Sequence, residues 1–271
     1  MTGSDNLCYA GGVALNSVAN GKFKNFTPFK NIFIQPSAND AGTALGACYY
    51  LYNSILGNKR NYIFEHPYFG PAFSDDDCKK ALASFKLDYE YRDDIFDATA
   101  KFLKEGRIIG WFQSRMEVGP RALGNRSILA NPMMAEMKDI LNLKVKHREP
   151  FRPFAPAIME EKLHDYFDAN DYAPFMLRVF PIKSEKRDVI PAACHVDGSG
   201  RVQTVSKKTN PEFHKLIETF EKLTGVPVII NTSFNVQGEP IVCTPEDAIK
   251  CFLGTEMDIL VLKKFLVVKA Q

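Results

Sequence analysis

Short apolar runs closed by glycine-rich or polar loops alternate along this chain with stretches of helical period. NLCYAGGVALN (6–16) reads as a strand, a Gly-Gly turn and the start of a helix, with Asn16 one turn inside it. NIFIQPSANDAGTALGACYYLYNSIL (31–56) repeats that order: strand, PSAND loop, apolar helix. Residues 57–75 mix Gly, Pro and aromatics without a period and predict an irregular connection. SDDDCKKALASF (74–85) predicts a helix capped by Ser74, with Asp75 to Asp77 at its positive end. LDYEYR (87–92) predicts a short strand. DIFDATAKFLKEG (94–106) predicts a helix ending at Gly106, and RIIGWFQ (107–113) a buried strand.

Farther along, AEMKDILNLKVK (135–146) and EKLHDYF (161–167) read as helical, and APAIM (155–159) and FMLRVFPI (175–182) as strands. ACHVDGSGRVQTVS (193–206) predicts a hairpin about Asp197-Gly198. PEFHKLIETFEKLTG (211–225) is an amphipathic helix with Phe213, Leu216, Ile217, Phe220 and Leu223 on one face. VPVIINTSF (226–234) is a buried strand, and TPEDAIKCFLGT (244–255) a helix capped by Thr244 with Pro245 first. MDILVL and FLVVK close the chain as strands. Strands and helices mix without strict alternation, which predicts an α+β fold with a mixed or antiparallel sheet.

Composition narrows the function. The net charge of +2 over 271 residues argues against a broad nucleic-acid surface. No apolar run approaches a membrane span, and no signal peptide is visible at the polar start MTGSDN. Six scattered cysteines without CxxC spacing predict buried, inert thiols in a reduced, cytoplasmic protein. The five histidines form no HxxxH pair or Cys-His cluster, so each is expected to be a surface or core residue. Neither a GxSxG nor a Walker A motif is present.

Chemistry concentrates in loops at strand ends. RMEVGPRALGNRSILA (115–130) carries Arg115, Arg121 and Arg126 around a Gly-Pro turn. Guanidinium groups bind phosphate through paired hydrogen bonds, and Pro120 is placed to open a helix whose free N–H groups would attract an anion. KVKHREPFRPFAPAI (144–158) adds Lys144, Lys146, Arg148 and Arg152 between stiffening prolines. VIINTSFNVQGEPI (228–241) supplies Asn231, Thr232, Ser233 and Asn235, which both donate and accept. Arg201 stands beside Gly198 and Gly200. Taken singly, each loop also fits a solvated turn.

Together, GWFQSRMEVGPRALGNRSILANP, REPFRPFAPAI, HVDGSGRVQTV and NTSFNVQGEPIVCTPEDAI resemble, in order, the C-terminal part of the NodU/CmcH/TobZ-type carbamoyltransferases. The resemblance implies the end of an ASKHA-fold, Kae1-like α/β domain (1–60), a linker (61–75) and a YrdC-like mixed-sheet domain (76–271). It further implies that the YrdC-like domain joins carbamoyl phosphate and ATP into carbamoyladenylate and pyrophosphate, and that the Kae1-like domain passes the carbamoyl group to an acceptor hydroxyl. Carried over by motif, Arg121 and Arg152 are the expected catalytic clamps. Arg201 and Asn231, with Lys146 and Ser233 as lesser members, complete the carbamoyl phosphate and nucleotide site. Gly11, Gly12 and Asn16 match the nucleotide-facing turn, and Asp40 the metal-ligand aspartate. The two histidines that complete the family's Fe²⁺ site have no counterpart here, so Asp40 is expected to form a partial site that binds metal poorly, and acceptor transfer to need the N-terminal part of the longer family members. Mg²⁺ is expected to arrive with ATP, and Arg115 and Arg126 to brace their loop. Two other readings stay open: a threonylcarbamoyladenylate-forming RNA-modification module, and a non-catalytic docking fragment.

Overall fold

The computed structural model describes residues 3–269. Near the N-terminus, strand β1 (Asn6–Tyr9) pairs in parallel with β2 (Asn31–Ile34), joined by helix α1 (Ser17–Phe26) and followed by α2 (Thr43–Tyr49), which runs on as a π-turn to Ile55. Asn16 is the cap of α1 rather than a residue within it: its side chain accepts from Ala19 N (3.1 Å), because a 3-10 turn at Gly12–Leu15 takes up the first predicted helical residues.

The remainder is built on one sheet. In chain order its strands are β3 (Glu90–Tyr91), β4 (Ile109–Phe112), β5 (Arg126–Ala130), β6 (Ala155–Met159), β7 (Arg178–Pro181), β8 (Ser199–Val205), β9 (Val228–Ser233), β10 (Ile259–Leu262) and β11 (Phe265–Val268). They lie in the order β3-β11-β10-β4-β5-β9-β6-β8-β7. The β4–β10 and β6–β8 pairs are parallel and the rest antiparallel, so the fold is α+β with a mixed sheet. The helices are α3 (Asp75–Ser84), α4 (Ile95–Lys104), α5 (Met137–Leu141), α6 (Leu163–Tyr166), α7 (Ser184–Arg187), α8 (Pro211–Thr224) and α9 (Pro245–Leu253). Central strands β4, β5, β6 and β10 are buried along their whole length, as a sheet covered on both faces requires. One core joins α4 and α8 to one face; the other lies under α3, α5 and α9.

Three expectations give way. No helix begins at Pro120; residues 114–125 form turns that lead directly into β5. No hairpin forms within 193–206: the Asp197-Gly198 turn feeds β8, whose antiparallel partner is β7, with α7 between them. Of the six cysteines, only Cys78 and Cys251 are buried, and Cys8 and Cys48 are exposed on the N-terminal unit.

The N-terminal unit is seated against the sheet's β7 edge. Asn20, buried on α1, donates to Ala14 O (2.7 Å) and Leu177 O (2.9 Å), and Arg178 donates to Ile32 O (2.7 Å). Lys24 and Arg178 both pair with Asp171. Residues 57–74 hold no regular element yet follow the 116–123 loop closely. Gly70 N donates to Met116 O, Met116 N to Pro71 O and Val118 N to Pro67 O (2.8–2.9 Å), and Tyr68 Oη donates to Leu123 O (2.9 Å).

Candidate active site

The 115–126 loop is braced from inside. Glu117, 3% exposed, accepts from the backbone N–H groups of Leu123, Asn125 and Arg126. Burial pushes its carboxyl upward, against the pull of those donors. Arg126 is fully buried, with its guanidinium 3.6 Å above the Phe112 ring. It donates to the carbonyls of Gln113 (2.6 Å) and Asn125 (2.8 Å), and more distantly to those of Ser114, Pro71 and Cys243. Arg115 donates to Phe69 O. Two of the three arginines are therefore committed to the scaffold.

Arg121 is not. Half-buried, its buried Nε has no partner, and burial lowers its pKa. Arg201 on β8 likewise has a buried, unpartnered Nε. Burial, with the charges of Arg121 and Arg148 nearby, pushes it down to about 9. Arg148 donates to Asn142 Oδ1 (2.7 Å) and lies over Phe154. Lys146, 3% exposed, donates to the oxygens of Ser233 and Asn235, backbone and side chain alike. Burial and the Arg148 charge push it down to about 7. Arg121, Lys146, Arg148 and Arg201 thus share one region without an acidic partner of their own. Mutual repulsion of buried cations is costly, and an anionic ligand relieves it.

Strand alternation supplies the neutral floor. Arg201 and Gln203 share one face of β8; Asn231 and Ser233 share one face of β9. Gln203 Nε2 donates to Leu123 O (2.8 Å), which turns its Oε1 toward Asn231 Nδ2 (2.6 Å). Asn231 Nδ2 also donates to Ala122 O (3.2 Å). Its own amide oxygen is buried and unpartnered. Backbone carbonyls at both ends of this relay fix the orientation of both amides, leaving an acceptor free for an N–H group.

Residues 100–269 match the family described as Carbamoyltransferase C-terminus, and residues 1–49 match Carbamoyltransferase N-terminus. The chain belongs to the carbamoyltransferase family. It is 44% identical to nodulation protein NolO of Bradyrhizobium diazoefficiens, over 99% of this chain and 50% of that protein. It is 35% identical to 3'-hydroxymethylcephem-O-carbamoyltransferase of Streptomyces clavuligerus, over 90% of this chain and 45% of that one. The chain spans about half the length of these curated relatives. A solved structure of full-length HypF in phosphate- and nucleotide-bound form is similar with a TM-score of 0.43 and 18% identity, over 68% of this chain and 23% of that one.

Of the sequence-predicted residues, the fold brings together Arg121, Lys146, Arg201, Asn231 and Ser233. Arg152 is exposed at the rim, paired with Glu149 (2.9 Å). Gly11, Gly12, Asn16 and Asp40 lie exposed on the N-terminal unit, where Gly11 N donates to Ala38 O (2.6 Å). That unit meets the site's loop: a Cβ on Gly119 would stand 3.0 Å from Pro36 O. Among the described residues no three His, Cys, Asp or Glu side chains gather as a metal site, so Asp40 and its neighbours do not fit an iron ion. Arg148 and Asn235, named above with their loops but outside the motif-derived set, also join the site, as does Gln203, which was not named. A basic residue two positions after Lys146, and an amide two positions after Arg201 on the same strand face, were the available signals.

Proposed function

We propose that this chain is the carbamoyl phosphate-activating part of an O-carbamoyltransferase. The observation that carries the reading is the group of four cations without a carboxylate, set beside an amide oxygen that lacks a donor. The phosphate group of carbamoyl phosphate, a mixed anhydride, satisfies the first, and the carbamoyl NH₂ satisfies the second.

Atoms balance only when one water enters. Carbamoyl phosphate and water give carbamate and inorganic phosphate. A carbamate oxygen then bonds to the α-phosphorus of ATP, and the bond to the β-phosphate breaks, releasing pyrophosphate and leaving carbamoyladenylate. Arg121, Arg148 and Arg201 offset the negative charge in both steps, and fixed charge with alignment supplies most of the rate. Lys146 holds Ser233 and Asn235 in place through its hydrogen bonds. Mg²⁺ enters with ATP, where it offsets charge on the phosphates. No step is routed through iron. Transfer to an acceptor hydroxyl belongs with the part of the longer relatives that this chain does not match. Arg152 serves at the rim, where it exchanges Glu149 for an incoming phosphate.

Calorimetric titration with carbamoyl phosphate tests the reading. Binding that falls at least tenfold in Arg201→Met supports it, and equal binding by wild type and variant overturns it.

A further inference from the structure

The hydrolytic half-reaction needs a group to take a proton from water, and the site as described has none. His195, at the turn entering β8, is joined to Ser199 through its backbone N–H (2.8 Å to Ser199 O) and through its ring (Nδ1 to Ser199 Oγ, 3.2 Å). Ser199 Oγ lies 2.6 Å from Asp197 Oδ1, and Ser199 N donates to the same oxygen (3.0 Å). These donors hold the Asp197 carboxyl below its ordinary range, so it is ionised and accepts only. The serine hydrogen therefore points to Asp197. Its oxygen is left to accept, and the ring must offer Nδ1–H. The remaining nitrogen, Nε2, then carries a lone pair. It is buried and meets no protein donor.

The ring is also placed and tuned for the task. Ser199 and Arg201 are two residues apart on β8 and share a face, which sets the relay close enough to Arg201 for its charge to act on the His195 ring. Burial, with the Arg201 charge acting against that of Asp197, lowers the imidazole pKa and keeps it neutral at pH 7. Arg187 lies close against Gly198 in the same turn.

We propose that His195 is the general base for water in carbamoyl phosphate hydrolysis, with Ser199 and Asp197 as the positioning residues that set its tautomer. The inference rests on the function proposed above. A water oxygen forms a bond to the phosphorus of carbamoyl phosphate. The bond from phosphorus to the bridging oxygen breaks, and its electron pair leaves with carbamate. One water proton passes to Nε2 of His195; the other stays on the released phosphate. No oxidant or further reactant is needed. A positioned base of this kind contributes about a hundredfold or more in rate.

The test compares two feeds to the full chain with Mg·ATP: carbamoyl phosphate, which needs the hydrolytic step, and ammonium carbamate, which bypasses it. The readouts are phosphate and pyrophosphate release. His195→Ala is expected to lower the carbamoyl phosphate rate by about a hundredfold or more and leave the carbamate rate within twofold of wild type. Ser199→Ala is expected to lower kcat for carbamoyl phosphate about tenfold with KM unchanged. Imidazole ¹⁵N shifts of the wild-type chain are expected to show the Nδ1–H tautomer. Loss with both feeds, loss with neither, or an Nε2–H tautomer overturns the role of His195. Wild-type protein that releases pyrophosphate with neither feed overturns the proposed function and this inference with it.

Discussion

Arg126 at the end of the 115–126 loop and Arg201 on β8 have opposite roles, and the difference is measurable as stability. Arg126 donates to the Gln113 carbonyl and shares the Asn125 carbonyl with Gln113 N, so Arg126→Met strands a buried acceptor and is expected to cost about 3 kcal/mol by denaturant titration. Arg201→Met is expected to raise stability by about 1 kcal/mol while removing phosphate binding, because it relieves repulsion among buried cations. A loss of stability there would mean that Arg201 has a structural partner. Lys146 adds a pH signature. Its folded pKa of about 7 lies below the ordinary lysine value, so its burial penalty is full below pH 7 and fades as pH rises toward about 10.5. Stability of wild type relative to Lys146→Met is therefore expected to increase from pH 7 to 10, and a flat difference would contradict that environment.

Elements that announce themselves by local chemistry were legible in the sequence. Ser74 and Thr244 cap α3 and α9 in reciprocal capping boxes, and α8 ends on Gly225 at φ +77°. These signals lie within a few residues of what they specify. The misread elements are those decided by distant partners. Pro120 could open a helix, but the buried Glu117 carboxylate claims the Leu123, Asn125 and Arg126 amides and folds the segment as a loop. Asp197-Gly198 has hairpin chemistry, yet β8 finds its partners in β7 and β6. The His195 relay is local, within residues 195–199, but its residue types alone do not distinguish it from an ordinary polar turn. Gly124 shows the tightness of the loop: at φ +109°, an added Cβ would fall 2.2 Å from the Phe213 ring. Gly124→Ala is expected to cost about 3 kcal/mol and to lower the affinity for carbamoyl phosphate, both read by calorimetry.

At the scale of the molecule, the N-terminal unit and the sheet meet along α1 and β7, beside the loop that carries Arg121. The contact is close: a Cβ on Gly21 would sit 2.2 Å from Val179 O. Gly21→Val is expected to release the first 60 residues to limited proteolysis, with the melting temperature of the sheet domain changed by less than about 2 °C. Protection equal to wild type would mean that other contacts hold the unit. Family membership was legible from the ordered loops, because their spacing reflects how four strand ends converge. The separation of Arg152 from the buried cations was not, because its motif does not record that Glu149 holds it at the rim.

The central claim is that the unpaired cations bind carbamoyl phosphate for reaction with ATP. Pyrophosphate release from Mg·ATP, with and without carbamoyl phosphate, in wild type and in Arg121→Ala, tests it most directly. The account predicts release that requires carbamoyl phosphate and falls at least a hundredfold in a folded Arg121→Ala variant. Release that ignores carbamoyl phosphate, or that survives the loss of Arg121, would contradict it.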